Sequence, residues 1–226
     1  MKFSLGIYKY AFYKSPNIGI FAKCNDDILI IPFGFAETKS DKLMEYLDTK
    51  NVVHTSIAGT RLVGPMMVIN NNGILVSSIA SDEEIQILRQ ESGLNVERIK
   101  SKYTAIGNLI AVNDNGAVIS PFIEETNKQV IQDVLGVPSE KMTVAGFIQV
   151  GSVVVATNSG AVIHPNASDK EIEYASDILK VDIDHATING GIPFLSSGII
   201  ANSKSVVVGS MTSGPELIIL SRIFKL

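Results

Sequence analysis

The sequence predicts an α/β fold, a five-fold pseudosymmetric propeller with inner strands and an outer ring of helices. A hairpin-like motif recurs about every 45 residues, and a helix with a readable start follows each copy. The motif is clearest in residues 150–165, where a Val-rich run, an Asn-Ser-Gly turn and a second apolar run follow one another. A fixed period of this length is typical of a repeat architecture.

Copies of the motif fill the chain. The units start at Gly19, Gly64, Gly107, Gly151 and Ser196, with spacings of 45, 43, 44 and 45 residues. In the middle three copies a second Gly follows nine residues later, and we expect turn geometry to explain these glycines. Since no Gly/Ser-rich or Pro-rich linker separates the units, residues 1–226 are expected to form a single domain.

A helix is predicted after each hairpin because a capping residue precedes apolar residues at helical spacing. The expected N-caps are Ser40, Ser81, Thr126, Ser168 and Ser213. Short strands are predicted after the first four helices, at residues 52–55, 96–99, 141–144 and 181–184. The fifth helix has no such strand, so residues 5–12 are expected to complete the fifth unit and close the ring, which also removes open sheet edges.

The segments just before the units, such as residues 56–59, 143–146 and 187–190, match one another in sequence and are expected to gather at one end of the ring. That end is the candidate binding face. Arg61, Arg98, Lys100 and Lys102 are expected there, with ordinary surface charge as the equal alternative. Asn108 stands where neighbouring units have Pro or Ser, and its amide could pair with a partner's backbone.

The composition narrows the class of protein. Of the 226 residues 46% are apolar, which suffices for a core, but no run is long enough for a membrane span and no signal-peptide core is evident. The single cysteine excludes an internal disulfide framework and fits a reducing cytosol. A net charge of −4 argues against a whole-surface nucleic-acid binder.

The sequence contains no recognisable catalytic or metal-binding motif. Cys24 is interpreted as a small strand residue rather than a nucleophile. The three histidines fall in different units without metal-ligand spacing, and the acidic pairs lie at helix starts, where they complement the helix dipole. We therefore expect no catalytic residue, no metal and no cofactor.

Several stretches resemble the translation initiation factor 6 family, the ribosome anti-association factors of archaea and eukaryotes. The matching stretches are residues 18–23, 53–61, 105–108, 150–152 and 213–217. The resemblance covers residues 6–226 and implies the pentein fold, a five-fold α/β propeller. Because no extended C-terminal tail of the eukaryotic kind is present, the chain resembles the archaeal members.

The resemblance implies a cytoplasmic, monomeric, non-enzymatic factor that binds the large ribosomal subunit on its intersubunit face. It would contact the ribosomal protein beside the sarcin–ricin loop and local rRNA, without binding DNA or membranes. Occupying that face would block the small subunit sterically, and a role in large-subunit biogenesis is also implied. Arg61 and Asn108 match the family's ribosome-facing positions, and Lys102, Phe194 and Leu195 are assigned to the same end by the repeat register.

Two alternatives remain open at this point. Pentein enzymes such as deiminases and amidinotransferases place a Cys, a His and carboxylates in the central channel, so an enzyme here would use Cys24 as its nucleophile. The other alternative is a scaffold that uses its ring face for some other partner. The sequence departs from the family pattern at Ser196 and Ser205, where Gly is usual, and carries about five additional N-terminal residues.

Overall fold

The structure, a computed structural model, describes residues 6–226. Over this range the strands form five three-stranded sheets, and in each sheet a middle strand pairs antiparallel with an inner strand and parallel with an outer strand. A helix connects each of the first four middle strands to its outer strand. The predicted five-fold α/β propeller is thus confirmed.

The elements have the following bounds. The inner strands are β2 (Lys23–Cys24), β5 (Met67–Ile69), β8 (Ile110–Val112), β11 (Val154–Ala156) and β14 (Ile199–Ala201). The middle strands are β3 (Ile28–Pro32), β6 (Gly73–Val76), β9 (Ala117–Ile119), β12 (Ala161–Ile163) and β15 (Ser205–Gly209). The outer strands are β4 (Asn51–Thr55), β7 (Asn95–Arg98), β10 (Ser139–Lys141), β13 (Ile183–His185) and β1 (Gly6–Tyr10). The outer helices are Glu37–Leu47, Asp82–Ser92, Thr126–Leu135, Asp169–Leu179 and Gly214–Phe224.

The N-terminal strand closes the ring as predicted. β1 is the outer strand of the fifth sheet and pairs parallel with β15, from Gly6 opposite Ser205 to Tyr10 opposite Gly209. Leu5, which the prediction included in this strand, lies outside the described residues. The sheet of the last unit therefore depends on the first residues of the described chain.

Neighbouring units share their hydrophobic cores. Ile30 and Val53 of the first sheet pack in one cluster with Ile85 and Leu88 from the helix of the second unit. The same arrangement crosses the closure, where Val207 of β15 packs with the first unit. Since every cluster draws on two units, no unit buries its apolar face alone.

The start of each repeat differs from the prediction of one continuous strand. A short helical turn precedes each inner strand, at Ile18–Ile20, Val63–Met66, Ile106–Asn108, Val150–Val153 and Leu195–Ser197. These turns contact one another around the axis. A Cβ on Gly64 would lie 1.8 Å from the carbonyl oxygen of Gly19, and one on Gly107 would lie 2.3 Å from that of Gly64.

The explanation of the recurring glycines by turn geometry is therefore wrong. None of the seven glycines at the two repeat positions has a positive φ. The first Gly of a unit lets neighbouring backbones touch, and the second abuts the helix of the next unit, as Gly73 does at the carbonyl oxygen of Val134. Close packing between units requires the missing side chain at both positions.

An Asn in the hairpin turn links four of the units to the next. The Asn70 side-chain oxygen accepts the N–H groups of Asn72 and Gly73, while its amide nitrogen donates to the carbonyl oxygen of Leu135 at 2.8 Å, the last residue of the next helix. Asn113 and Asn202 repeat this arrangement. Asn25 fixes its own turn and donates to the carbonyl oxygen of Asn70, and within the described range Thr157 in the fourth unit fixes only its own turn. One side chain thus fixes its own turn and binds the neighbouring unit.

The helix starts are confirmed in three units. Ser81, Ser168 and Ser213 form capping boxes with the Glu three residues later. Thr126 is instead the first helical residue, and Ser40 lies inside its helix, where its hydroxyl donates to the carbonyl oxygen of Glu37. The N-cap prediction was therefore wrong for both residues. In each of these helices the residue before the first turn makes no side-chain hydrogen bond to the helix.

The strands predicted after the helices are present, and the third is displaced. β10 ends at Lys141, whereas the sequence predicted residues 141–144. Val144 instead makes an isolated bridge with Phe147, which closes a tight turn before the fourth unit. The turn thus includes residues that the sequence analysis had assigned to the strand.

The capping glutamates also accept hydrogen bonds from the loop that precedes their own unit. Glu84 accepts hydrogen bonds from the Ser56 hydroxyl (2.7 Å) and from the N–H groups of Ala58 and Gly59 (2.9 Å each). Glu216 does the same for the Thr187 hydroxyl and for two N–H groups in the fifth unit. The loops are thereby attached rigidly to the helix starts.

These hydrogen bonds determine the charge state of the glutamates. Burial raises the pKa of Glu84 and of Glu216, but the hydrogen bonds to the carboxylates lower it by more. The net effect lowers the pKa of Glu84 and takes that of Glu216 to about 2. Both carboxylates are therefore ionised at neutral pH.

The backbone contacts at the axis predict the effect of a single methyl group. Gly64→Ala would place its Cβ against the backbone of Gly19. We expect its Tm to fall by on the order of 10 °C, since overpacking of about 3 kcal/mol corresponds to roughly 2–4 °C per kcal/mol in a chain of this size. Gly214→Ala, which meets nothing within 4 Å, is the control in thermal unfolding. An equal Tm for both variants would contradict the backbone-contact explanation.

The low pKa of Glu216 predicts that the stability of the fold falls in acid. Its folded-state pKa of about 2 lies below the unfolded value of about 4.3, so its contribution to stability is complete above about pH 4.3 and is lost as the pH falls towards 2. We expect Glu216→Gln to be less stable than the wild type at neutral pH, with the gap narrowing at low pH. Thermal unfolding between about pH 2.5 and 7 measures this. Glu173→Gln, at an exposed helix position, is the control, and a constant gap for Glu216→Gln contradicts the prediction.

Candidate binding face

The loops before the five units lie at one end of the ring, because the helical turns that they enter contact one another around the axis. We call this end the connector face and define it by residues 12–17, 56–62, 101–105, 144–149 and 188–194. Four of its loops are closed by isolated backbone bridges, one of which joins Ile57 to Thr60. Positive φ at successive residues, 53° at Ala58 and 67° at Gly59, makes this a tight two-residue turn.

Arg61 is exposed on the connector face and joins two of its loops. Its guanidinium carbon lies 5.4 Å from the centroid of the Tyr13 ring in the first loop. The contact orients the cation without neutralising it, since no salt bridge of Arg61 is present among residues 6–226. Lys102 is also exposed, with its Nζ 5.0 Å from the centroid of the Tyr103 ring.

Asn108 and Phe194 meet at the centre of the connector face. Both line a cavity of about 230 Å³ whose walls include residues of all five helical turns, such as Gly19, Gly64 and Ser196. The Asn108 side chain is half-buried and makes no hydrogen bond within the described range. Phe194 is 42% exposed and packs edge-on against Phe147, with 5.6 Å between ring centroids. An unpaired amide beside an exposed aromatic ring suits contact with a partner.

Two sequence-based assignments to this face need correction. Leu195 is 0% exposed and belongs to the core of the fifth unit, so its side chain cannot touch a partner. Arg98 lies in the outer strand β7, where its guanidinium binds the Asp82 carboxylate at 2.5 Å and the carbonyl oxygen of Ala80 at 2.8 Å. The repeat register located the loops but did not show which way these side chains point.

Sequence reasoning missed the apolar side chains of the connector face. Tyr13, Leu62 and Ile192 are more than 40% exposed. Lys14, beside Tyr13, adds a further cation on the first loop. The signal was available, because large apolar residues in tight surface loops have no core to fill.

Cys24 shows none of the properties of an activated nucleophile. Its side chain is buried, and the thiol donates a hydrogen bond to the carbonyl oxygen of Ala201 at 3.2 Å. Burial and the nearby Asp26 carboxylate raise the pKa of the thiol to about 12, although Lys23 lowers it slightly. The Cys24 thiol therefore stays protonated at neutral pH.

The part of the chain described by the structure holds no group of three or more His, Cys, Asp or Glu side chains suited to a metal ion. In the same range no helix has the length and apolar character needed to cross a membrane.

Comparison with known proteins identifies the family. The model of the eIF-6 family matches residues 7–223. Proteins named translation initiation factor 6 from Nitrosopumilus maritimus and Cenarchaeum symbiosum are 46% and 44% identical over 220 residues, which is 97% of this chain and 99% of each relative. A solved dimethylarginine dimethylaminohydrolase is similar in fold alone, at 14% identity and a TM-score of 0.50 over 75% of this chain and 68% of its own, which agrees with the pentein fold. The extent of these sequence matches shows that the chain belongs to the eIF-6 family.

Proposed function

We propose that this translation initiation factor binds the large ribosomal subunit on its intersubunit face and sterically prevents the small subunit from joining. The observation that carries the proposal is the connector face, where exposed apolar side chains and cations without carboxylate partners stand on loops fixed by glutamates. The name of the relatives, translation initiation factor 6, supports a role on the ribosome.

The apolar residues supply the protein-binding part of the face. Leu62 and Phe194 are 44% and 42% exposed, and Tyr13 stands beside Arg61. Aromatic and Arg side chains are enriched at the centres of protein interfaces and carry much of their binding energy. We assign this part to the ribosomal protein beside the sarcin–ricin loop.

The cations supply a local contact to rRNA. Lys14, Arg61 and Lys102 have no ion pair with any residue in the range 6–226. Since the net charge is −4, general attraction to RNA is weak, and phosphate contacts are confined to this face. They would fix the orientation of the factor, while the apolar contacts supply most of the affinity.

Anti-association then requires no chemical step. The loops are already ordered by the bonds from Glu84 and Glu216, so little conformational entropy is lost on binding. A bound ring excludes the small subunit by its volume. We place this action in the cytoplasm, with the factor acting as a monomer, and the same occupancy would protect the face of a maturing large subunit during biogenesis.

Arg61→Ala and Asn108→Ala test the proposal. We expect each to weaken binding to purified large subunits by roughly tenfold or more, as for residues at the centre of an interface. Their Tm values should stay near that of the wild type, because Arg61 is exposed and the Asn108 amide is unpaired within the protein. Co-sedimentation with the subunits in sucrose gradients measures binding, and the yield of joined ribosomes measures anti-association.

Lys180→Ala is the matched control, because Lys180 is an exposed cation at the far end of its helix, where the carbonyl oxygen of Leu179 binds a hairpin turn opposite the connector face. It should bind and inhibit joining like the wild type. If the wild type stays at the top of the gradient and joining is unaffected, the proposal fails. If Arg61→Ala and Asn108→Ala bind normally, the connector face is not the docking surface.

Cys24 provides the test that separates this function from a pentein hydrolase. A thiol with a pKa of about 12 should react with a small disulfide reagent at neutral pH far more slowly than a free cysteine. Unfolding in denaturant should restore the ordinary rate. Labelling kinetics measured at about pH 7 in native and denaturing buffer check this, and fast labelling of the folded protein would revive the enzyme alternative.

A further inference from the structure

The five inner strands surround a cavity of about 70 Å³ on the ring axis. In the described sheets each inner strand pairs only with its middle strand, so its other edge is open towards the axis. A cavity of this size holds a few water molecules or one small ion. It is separate from the cavity beneath the connector face that Asn108 and Phe194 line.

Lys23 breaks the five-fold pattern of this lining. The fourth residue after each unit start is aliphatic in the other four units, namely Val68, Ala111, Val155 and Ile200. Only the first unit places a charged side chain at this position. All five residues line the axial cavity, and Lys23 is the one charged residue among the described residues of that lining.

The Lys23 ammonium has no partner among residues 6–226. No hydrogen bond or salt bridge joins its Nζ to any described residue. Lys204 shows the contrast, because its Nζ donates to the carbonyl oxygens of Asp26 and Asp48 at 2.8 Å each. The neighbouring Cys24 thiol donates a hydrogen bond to the carbonyl oxygen of Ala201 and carries no negative charge at neutral pH.

The nearest acidic groups are engaged elsewhere. At the mouth opposite the connector face, Asp26 and Asp114 belong to a closed ring of hydrogen bonds. Asn71 donates to both carboxylates, at 2.8 and 2.6 Å, Asn158 donates to Asp114 and to the Ser203 hydroxyl, and that hydroxyl donates back to Asp26. These carboxylates close the mouth and do not pair with Lys23.

Lys23 is half-buried, and an ammonium at such a position without a carboxylate partner is costly. Desolvation lowers the pKa of Lys23, because burial disfavours the charged form. Water in the cavity can accept hydrogen bonds from the three donors, but it cannot balance the charge. A mobile counter-ion would balance it at the same place.

We propose that the axial cavity binds one small monovalent inorganic anion of halide size against the Lys23 ammonium. One cation calls for one negative charge, and the volume excludes large organic anions. The site lies between the helical turns at one end of the axis and the Asp26–Asn71 ring at the other.

Bromide is the probe for a crystallographic test. Protein expressed, refolded and crystallised with bromide as the only halide should show one anomalous peak in the axial cavity beside Lys23 Nζ. Lys23→Met, which has similar length and no charge, should lose that peak and keep the surface peaks. Surface peaks without an axial peak in the wild type overturn the proposal, and so does an axial peak that persists in Lys23→Met.

Thermal unfolding gives the second test, without crystals. After refolding in each salt at equal ionic strength, the wild type should melt on the order of 2–4 °C higher in sodium bromide than in sodium gluconate, whose anion is too large for the cavity. Lys23→Met and Lys23→Gln should lose this difference, and Lys170→Met should keep it, which separates the site from general salt effects. If wild type and Lys23 variants respond alike to the two salts, no anion binds there.

Discussion

The ring depends on one side-chain amide in each of four hairpin turns. Its oxygen holds the turn of its own unit, and its nitrogen donates to the backbone of the next unit, so one side chain couples the two units. Asn202 extends this pattern across the closure by donating to the carbonyl oxygen of Leu47 at 2.8 Å. Because the bond at the closure has the length of the bond from Asn70, the seam between the last and first units is built like an ordinary junction.

Backbone contact at the axis imposes a second constraint, which concerns size rather than hydrogen bonding. The turns approach so closely that Gly19, Gly64, Gly107 and Gly151 have no room for a Cβ. Ser196 stands at the fifth position, and its side chain borders both axial cavities. Ser196 is thus the residue that the linings of the two cavities share.

Local signals in the sequence predicted most of the fold. The repeat period, the capping boxes at Ser81, Ser168 and Ser213, and the missing fifth outer strand were sufficient to predict a closed ring, because each reflects contacts between residues near in sequence or a strand that must find a partner. The helical turns and the role of the glycines were not predictable in this way, since both arise from packing between units. For the same reason the repeat register located the connector face but misassigned Leu195 and Arg98, whose directions depend on neighbouring elements.

The pairing of β1 with β15 has a consequence for the order of events during synthesis. Gly6 pairs with Ser205. During synthesis β1 therefore emerges from the ribosome long before its partner strand, because almost the whole chain lies between them. Contacts of such high sequence separation form late and slowly in folding. Until then β1 is an unpaired strand of a nascent chain that invites wrong partners. A chain truncated before β15 therefore retains an open strand edge, which favours aggregation.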